Sequence, residues 1–212
     1  DTAWEGYEEI PSWIMQGYGT MASEAADQLR QVGVNRPTHV FIQAGVGSLA
    51  GAVVGYFTNL FPNDPPKFIV MEAMAADCLY QGALAGDGSP RAVTGDLRTI
   101  MAGLACGEPN TISWDILRNH VSAFVSCPDW VSARGMRMLA VPVKGDPTVI
   151  SGESGAVGMG LLAELMENDW YRELRESIGL DRFSQVLLFS TEGNTDPLKF
   201  RKVIWDGEYA TV

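Results

Sequence analysis

Gln43-Ala44-Gly45-Val46-Gly47-Ser48-Leu49-Ala50-Gly51 is the stretch on which the fold turns. Thr38-His39-Val40-Phe41-Ile42 precedes it, a short apolar run rich in β-branched and aromatic residues, and this predicts a strand over 38–42. After it, Leu49, Val53, Phe57, Leu60 and Phe61 recur at helical spacing. The glycines therefore stand at a strand-to-helix turn, where missing side chains let another group approach the backbone. Such a turn opens a helix N-terminus, whose free N–H groups and dipole favour an anion. Three readings fit these residues: a tight turn with glycines for packing alone, a nucleotide loop, and a loop holding the phosphate of a compact cofactor through backbone N–H groups and Ser48. The Gly-x-Gly-x-x-x-Gly spacing is one residue longer than the dinucleotide fingerprint, and no Gly-Lys-Ser/Thr follows, as an ATP phosphate loop requires. The last two readings stay open on the loop alone.

Beyond the helix, Pro62-Asn63-Asp64-Pro65-Pro66 marks a turn and Phe68-Ile69-Val70-Met71 a second strand. Strand, helix and strand in so short a span predict a βαβ unit, hence a parallel sheet with a right-handed crossover. Upstream, a helix is expected from Pro11 to Gln31, interrupted at Gly17-Tyr18-Gly19-Thr20, with Thr20 capping a second segment. Downstream, Gly82 to Gly95 reads as an exposed loop, and residues 112–120, 128–139 and 151–166 read as helices. Val121–Val125 and Gln185–Phe189 read as strands, and a final helix carries Phe200 and Trp205. The predicted architecture is α/β, a twisted and mostly parallel sheet flanked by helices. Two polar, glycine-bearing turns, 43–51 and 190–196, then lie at the C-terminal edge of that sheet, where open α/β folds bind ligands.

Composition narrows the function. Of 212 residues, 46% are hydrophobic and 19% charged, as in a folded domain with a sizeable core. A net charge of −11 argues against a nucleic-acid or anionic-membrane surface. No apolar run has the length of a membrane span, and the N-terminus lacks the pattern of a signal peptide. Cys78, Cys106 and Cys127 are too few for a disulfide scaffold and show no zinc-type spacing, so a cytoplasmic protein without a metal is expected. A redox pair of Cys78 and Cys106 is a minority reading. His39 and His120 are isolated and read as structural.

Several motifs, in order, carry a family resemblance. Gly17-Tyr18-Gly19-Thr20-Met21-Ala22-x-Glu24 resembles the Gly-x-Gly-Thr-x-Ala-x-Glu helix of threonine dehydratases and their relatives, and Gly45-Val46-Gly47-Ser48-Leu49 resembles their pyridoxal-phosphate (PLP) phosphate loop. Thr99–Ala105 and Glu153-Ser154-Gly155-Ala156 fit the same group. Ser190-Thr191-Glu192-Gly193-Asn194-Thr195-Asp196 resembles its Ser/Thr-Gly-x-Gly-x-x-Asp turn, with Thr191 in place of the first glycine. Asp1–Tyr7, Ala102–Pro109 and Ser126–Trp130 narrow the resemblance to diaminopropionate ammonia-lyases, over nearly the whole chain.

The resemblance implies a fold type II PLP enzyme, its large domain in particular, that converts 2,3-diaminopropionate to pyruvate and two ammonia, acting as a homodimer. It implies that Gly45, Val46, Gly47, Ser48 and Leu49 hold the phosphate and that Ser190 bonds the ring nitrogen, with Thr191 as rival. It sets Glu153 near the ring and makes Asp1 an acid/base toward substrate. Read as bare residues, Ser190 also suits a turn cap, Glu153 a helix N-terminal charge, and Asp1 a loose chain end. The family's Schiff-base lysine sits in a Ser-x-Lys-x-Arg type motif, and none of Lys67, Lys144, Lys199 and Lys202 does. The resemblance places that lysine upstream of Asp1, so the chain is expected to be the C-terminal portion of the enzyme and inactive alone. Two alternatives stand: a nicotinamide-nucleotide domain with Glu72 on the ribose, at about the right spacing, and a non-catalytic domain for a phosphorylated ligand.

Overall fold

The computed structural model describes residues 1–210. Four parallel strands form one sheet in the order β3-β2-β1-β4: β1 (His39–Gln43), β2 (Lys67–Ala73), β3 (Val121–Cys127) and β4 (Val186–Leu188). β1 is central and buried along its whole length. Parallel strands covered on both faces read as unbroken apolar runs, and 40–42 and 68–71 do so. Their side chains alternate between two cores. Val40, Ile42, Phe68 and Val70 face one, with Ala22, Val53 and Phe57. Phe41, Ile69 and Met71 face the other, with Val131, Met136, Ala156 and Leu161.

The first core lies under α1 (Glu9–Gln31), α2 (Ser48–Leu60), α3 (Cys78–Ala85) and α4 (Thr111–His120). The second lies under α5 (Asp129–Ala140) and α6 (Glu153–Glu167), with the short α7 (Arg172–Ser177) and α8 (Pro197–Ile204) beside them. No helix among the described residues is long and apolar enough to cross a membrane. His39 is a satisfied core histidine, its Nε2 2.9 Å from the Ile178 carbonyl oxygen.

Two sequence expectations change. α1 runs unbroken through Gly17–Thr20, and Thr20 caps nothing. The predicted 82–95 loop begins only after Ala85, because Gly82 lies inside α3 against the Trp114 ring.

α5 and α6 touch backbone to backbone. A Cβ on Gly160 would overlap the Val131 carbonyl, and one on Gly135 would overlap that of Ala156. Gly160→Val is therefore expected to destabilise the chain by at least ~2 kcal/mol, the scale of overpacking a filled core. Urea unfolding of the variant and parent, with m-values compared, measures this.

Candidate functional site

β1 ends at Gln43, and the ladder closes with the Ala44 N–H donating to the Met71 carbonyl at 2.8 Å. The chain then turns into α2 through Gly47, whose φ of +101° suits glycine. A Cβ there would also lie 2.7 Å from Ser113 Oγ. The loop carbonyls are turned into the protein. That of Val46 accepts from the Asn110 N–H at 2.7 Å, and that of Gly45 faces the Cys78 thiol at 3.6 Å. A trans peptide points its N–H opposite its carbonyl, so the N–H groups of Val46 and Gly47 point the other way. Among the described residues, no acceptor meets the N–H of Gly45, Val46, Gly47, Ser48 or Leu49. These five donors and the start of α2 edge a cleft of about 730 Å³, with Gly103–Glu108 on another side. Unpaired N–H groups at a helix N-terminus make an anion seat without a cationic side chain, and neither Lys nor Arg lines this cleft.

The turn after β4 supplies the facing wall. Thr191, Glu192 and Ser154 line the same cleft. Gln43 Nε2 donates to Thr191 Oγ1 at 2.9 Å and to the Phe189 carbonyl at 3.0 Å. The Thr191 hydroxyl is thereby fixed as an acceptor, and its own proton remains to be given. Ser190 is absent from the cleft lining, and its Oγ donates to Ser151 Oγ at 2.8 Å. The structure thus brings Thr191, rather than Ser190, to the phosphate loop. Glu192 accepts from the Ser154 N–H at 2.7 Å and so caps α6. Glu153, the first residue of α6, is buried outside this cleft lining; its Oε1 has no hydrogen-bond partner among the described residues and lies 3.9 Å from Lys199 Nζ.

Asp1 lines the cleft at the end of a short strap. Its carbonyl accepts from Ser48 Oγ at 2.5 Å and Asn110 Nδ2 at 3.0 Å. Thr2 Oγ1 donates to the Pro109 carbonyl, and Thr111 Oγ1 to that of Ala3, each at 3.2 Å. Tyr7 OH donates to Asp1 Oδ2 at 2.9 Å, and the Tyr7 ring stacks on Trp4 at 4.5 Å between centroids. The Ser48 proton is committed to Asp1, so toward an anion in the cleft Ser48 offers its N–H rather than the hydroxyl expected from sequence. Sequence reasoning missed Gln43, Asn110, Glu192 and Tyr7. A signal existed for two of them: a polar residue closing an apolar strand, and the Asn-x-x-Ser start of α4.

Glu72 cannot serve as the ribose carboxylate of the nicotinamide alternative. It is fully buried, and both oxygens accept backbone N–H groups at the start of α3, from Leu79 at 2.9 Å and Tyr80 at 2.7 Å. Burial pushes its pKa up to about 8. All three cysteines are free thiols. Cys106 borders the cleft beside Gly45, while burial drives the Cys78 thiol far up from its ordinary range. The four lysines lie away from the cleft lining.

Comparison with known proteins gives the family and the fold. A family model described as pyridoxal-phosphate dependent enzyme matches residues 5–173. The chain is 54% identical to the diaminopropionate ammonia-lyase of Salmonella typhimurium strain LT2, covering 99% of this chain and 52% of that protein. It is 50% identical to the holo diaminopropionate ammonia-lyase of Escherichia coli in a crystal structure, with a TM-score of 0.90 over 99% of this chain and 52% of that one. The processed form of threonine deaminase isoform 2 from Solanum lycopersicum shares the fold, with a TM-score of 0.71 at 21% identity over 94% of this chain and 50% of that one. The chain spans about half the length of the ammonia-lyases it matches.

Proposed function

The chain belongs to the pyridoxal-phosphate dependent enzymes, and we propose that it forms the cofactor-holding body of an ammonia-lyase converting 2,3-diaminopropionate to pyruvate and ammonia. The observation that carries this reading is the run of unpaired N–H groups from Gly45 to Leu49, facing the Thr191 hydroxyl across one cleft. The cleft volume suits a cofactor together with a small amino acid. High identity to diaminopropionate ammonia-lyases supports the substrate.

Bound there, pyridoxal phosphate supplies a ring that takes up the electron pair left when the amino acid loses its Cα proton. The protein does the rest. The N–H groups of Gly45, Val46, Gly47, Ser48 and Leu49 hold the phosphate. Thr191 Oγ1, fixed by Gln43, would donate a hydrogen bond to the ring nitrogen, and this neutral donor would leave the ring less electron-poor than a carboxylate. Glu153 brings its neighbour Ser154 to the cleft wall and turns its own carboxylate toward Lys199, away from the ring. Asp1, with its carboxylate aimed by Tyr7, moves a proton at the substrate. The lysine that anchors the cofactor comes from outside residues 1–212. The free thiols and the net charge of −11 support a cytoplasmic setting. Exposed Ile10, Trp13 and Ile14 on α1 suit the homodimer implied by the family.

Pyruvate release from 2,3-diaminopropionate by the enzyme with its lysine present tests the activity, and silence toward that substrate would overturn it. In the same enzyme, Thr191→Ala is expected to slow elimination about three- to tenfold, the worth of one neutral hydrogen bond. Ser190→Ala should do less. Steady-state rates at saturating cofactor give the ranking, and the reverse order would move the ring-nitrogen role to Ser190.

A further inference from the structure

We infer that Asn110 is a positioning residue that locks the Asp1 strap onto the anion-binding loop, so that proton transfer and phosphate binding share one support. The inference rests on the pyridoxal-phosphate reading of the cleft. Asn110 is fully buried at the start of α4. As a helix cap it needs only Oδ1, which accepts from the Ser113 N–H at 3.0 Å. Its remaining groups go elsewhere. The backbone N–H holds the Val46 carbonyl at 2.7 Å, and this turns the Gly47 N–H toward the cleft. The side-chain Nδ2 donates to Ser48 Oγ at 2.9 Å and to the Asp1 carbonyl at 3.0 Å. Ser48 Oγ, accepting from Asn110, donates its own hydrogen bond to that same carbonyl.

One amide thus links the first residue of α2, the main chain of the strap and the first turn of α4. The strap has no strand pairing to the sheet, so these bonds and the two threonine contacts set where Asp1 stands. Loss of Nδ2 removes the strut between α4 and Ser48, so the 46–49 backbone that presents the N–H groups is held less firmly and the strap is loosened, while a serine or aspartate in its place still caps α4.

Asn110→Ser and Asn110→Asp, each compared with the parent chain, test this. The probes are pyridoxal phosphate and pyridoxal, which lacks the phosphate, titrated by equilibrium dialysis. Hydrogen exchange is followed in residues 1–7, 45–50 and 114–120. Asn110→Ser is expected to weaken pyridoxal-phosphate binding about five- to tenfold, the size of one or two neutral hydrogen bonds, with pyridoxal unchanged. Exchange should quicken in 1–7 and 45–50 and stay as in the parent over 114–120. Asn110→Asp should lose more, because it sets a carboxylate beside the anion seat. An unchanged preference for pyridoxal phosphate over pyridoxal in Asn110→Ser would overturn the inference alone, and so would lost protection over 114–120 in both variants. A parent that shows no preference for the phosphate form would overturn the cofactor reading and this inference with it.

Discussion

Gly47→Val is expected to lower the affinity of the chain for pyridoxal phosphate at least about a hundredfold while leaving the sheet and its helices folded. Two effects act together. Valine at a φ of +101° is strained by roughly 1–3 kcal/mol. Its Cβ also meets Ser113 Oγ at 2.7 Å, with Leu117 and Leu79 close behind. Ser113 is buried at the start of α4 and has little room to retreat. The cheaper response is for the 46–48 backbone to flip, and this turns the Val46 and Gly47 N–H groups out of the cleft. A hydrogen bond to a charged group is worth about 1.5–3 kcal/mol. Two of them lost together exceed the ~2.8 kcal/mol that corresponds to a hundredfold in affinity. The rest of α2 is anchored by Val53, Val54 and Phe57 in the core, so a melting curve of the variant should remain cooperative. Equilibrium dialysis with the phosphate and phosphate-free forms gives the result. Unchanged affinity for pyridoxal phosphate would remove the phosphate role from this loop.

How far the chain could be read beforehand depends on how local each cause is. β1, the glycine turn, α2 and β2 were legible because strand patterning, turn chemistry and helical spacing all lie within their own residues. α3 was missed because its N-terminus is closed from a distance: the Glu72 carboxylate, on β2, takes the N–H groups of Leu79 and Tyr80. Gly82 looked like a turn residue, but it makes room for the Trp114 ring. In α1 the pair Gly17 and Gly19 costs about 1 kcal/mol each relative to alanine. Met15, Ala22 and Ala26, buried on the face toward α2, outweigh that cost and carry the helix through.

The site divides along the same line. Sequence order was enough to set turns 43–51 and 190–196 at one edge of the sheet. Which hydroxyl of the second turn faces the cleft depends on Gln43 bonding Thr191 and on Ser151 bonding Ser190, contacts spanning 148 and 39 residues. The hold on Asp1 through Asn110 spans 109 residues. No local pattern reports such pairings.

The largest expected effect is a complete one: the 212-residue chain, supplied with pyridoxal phosphate and 2,3-diaminopropionate, should release no pyruvate. It should also take up no pyridoxyl label after borohydride reduction. Anchoring the cofactor requires an amine aimed into the cleft, and each lysine is engaged or misplaced. Lys67 begins β2, paired with His39 at the edge of the sheet opposite the cleft. At about 3.3 Å per residue, the length of β1 alone puts it roughly 13 Å from the glycine turn. Lys144 is exposed in the turn between α5 and α6. Lys202 Nζ lies 3.6 Å from Glu208 Oε1, and both residues border a cavity other than the cleft. Lys199 Nζ lies 3.9 Å from Glu153 Oε1 and borders that same cavity with Asp129 and Asp196. Since a displacement of about 1 Å can cost ~10²-fold in rate, an amine in another cavity contributes nothing useful. The anion seat is intact in this chain, so reversible binding of pyridoxal phosphate should still be measurable. Supplying the missing lysine on a longer polypeptide should restore both label and turnover. Peptide mapping by mass spectrometry locates any label. Stoichiometric modification of Lys199, abolished in Lys199→Ala and accompanied by pyruvate release, would show that residues 1–212 carry a whole active site and would overturn the external-lysine reading.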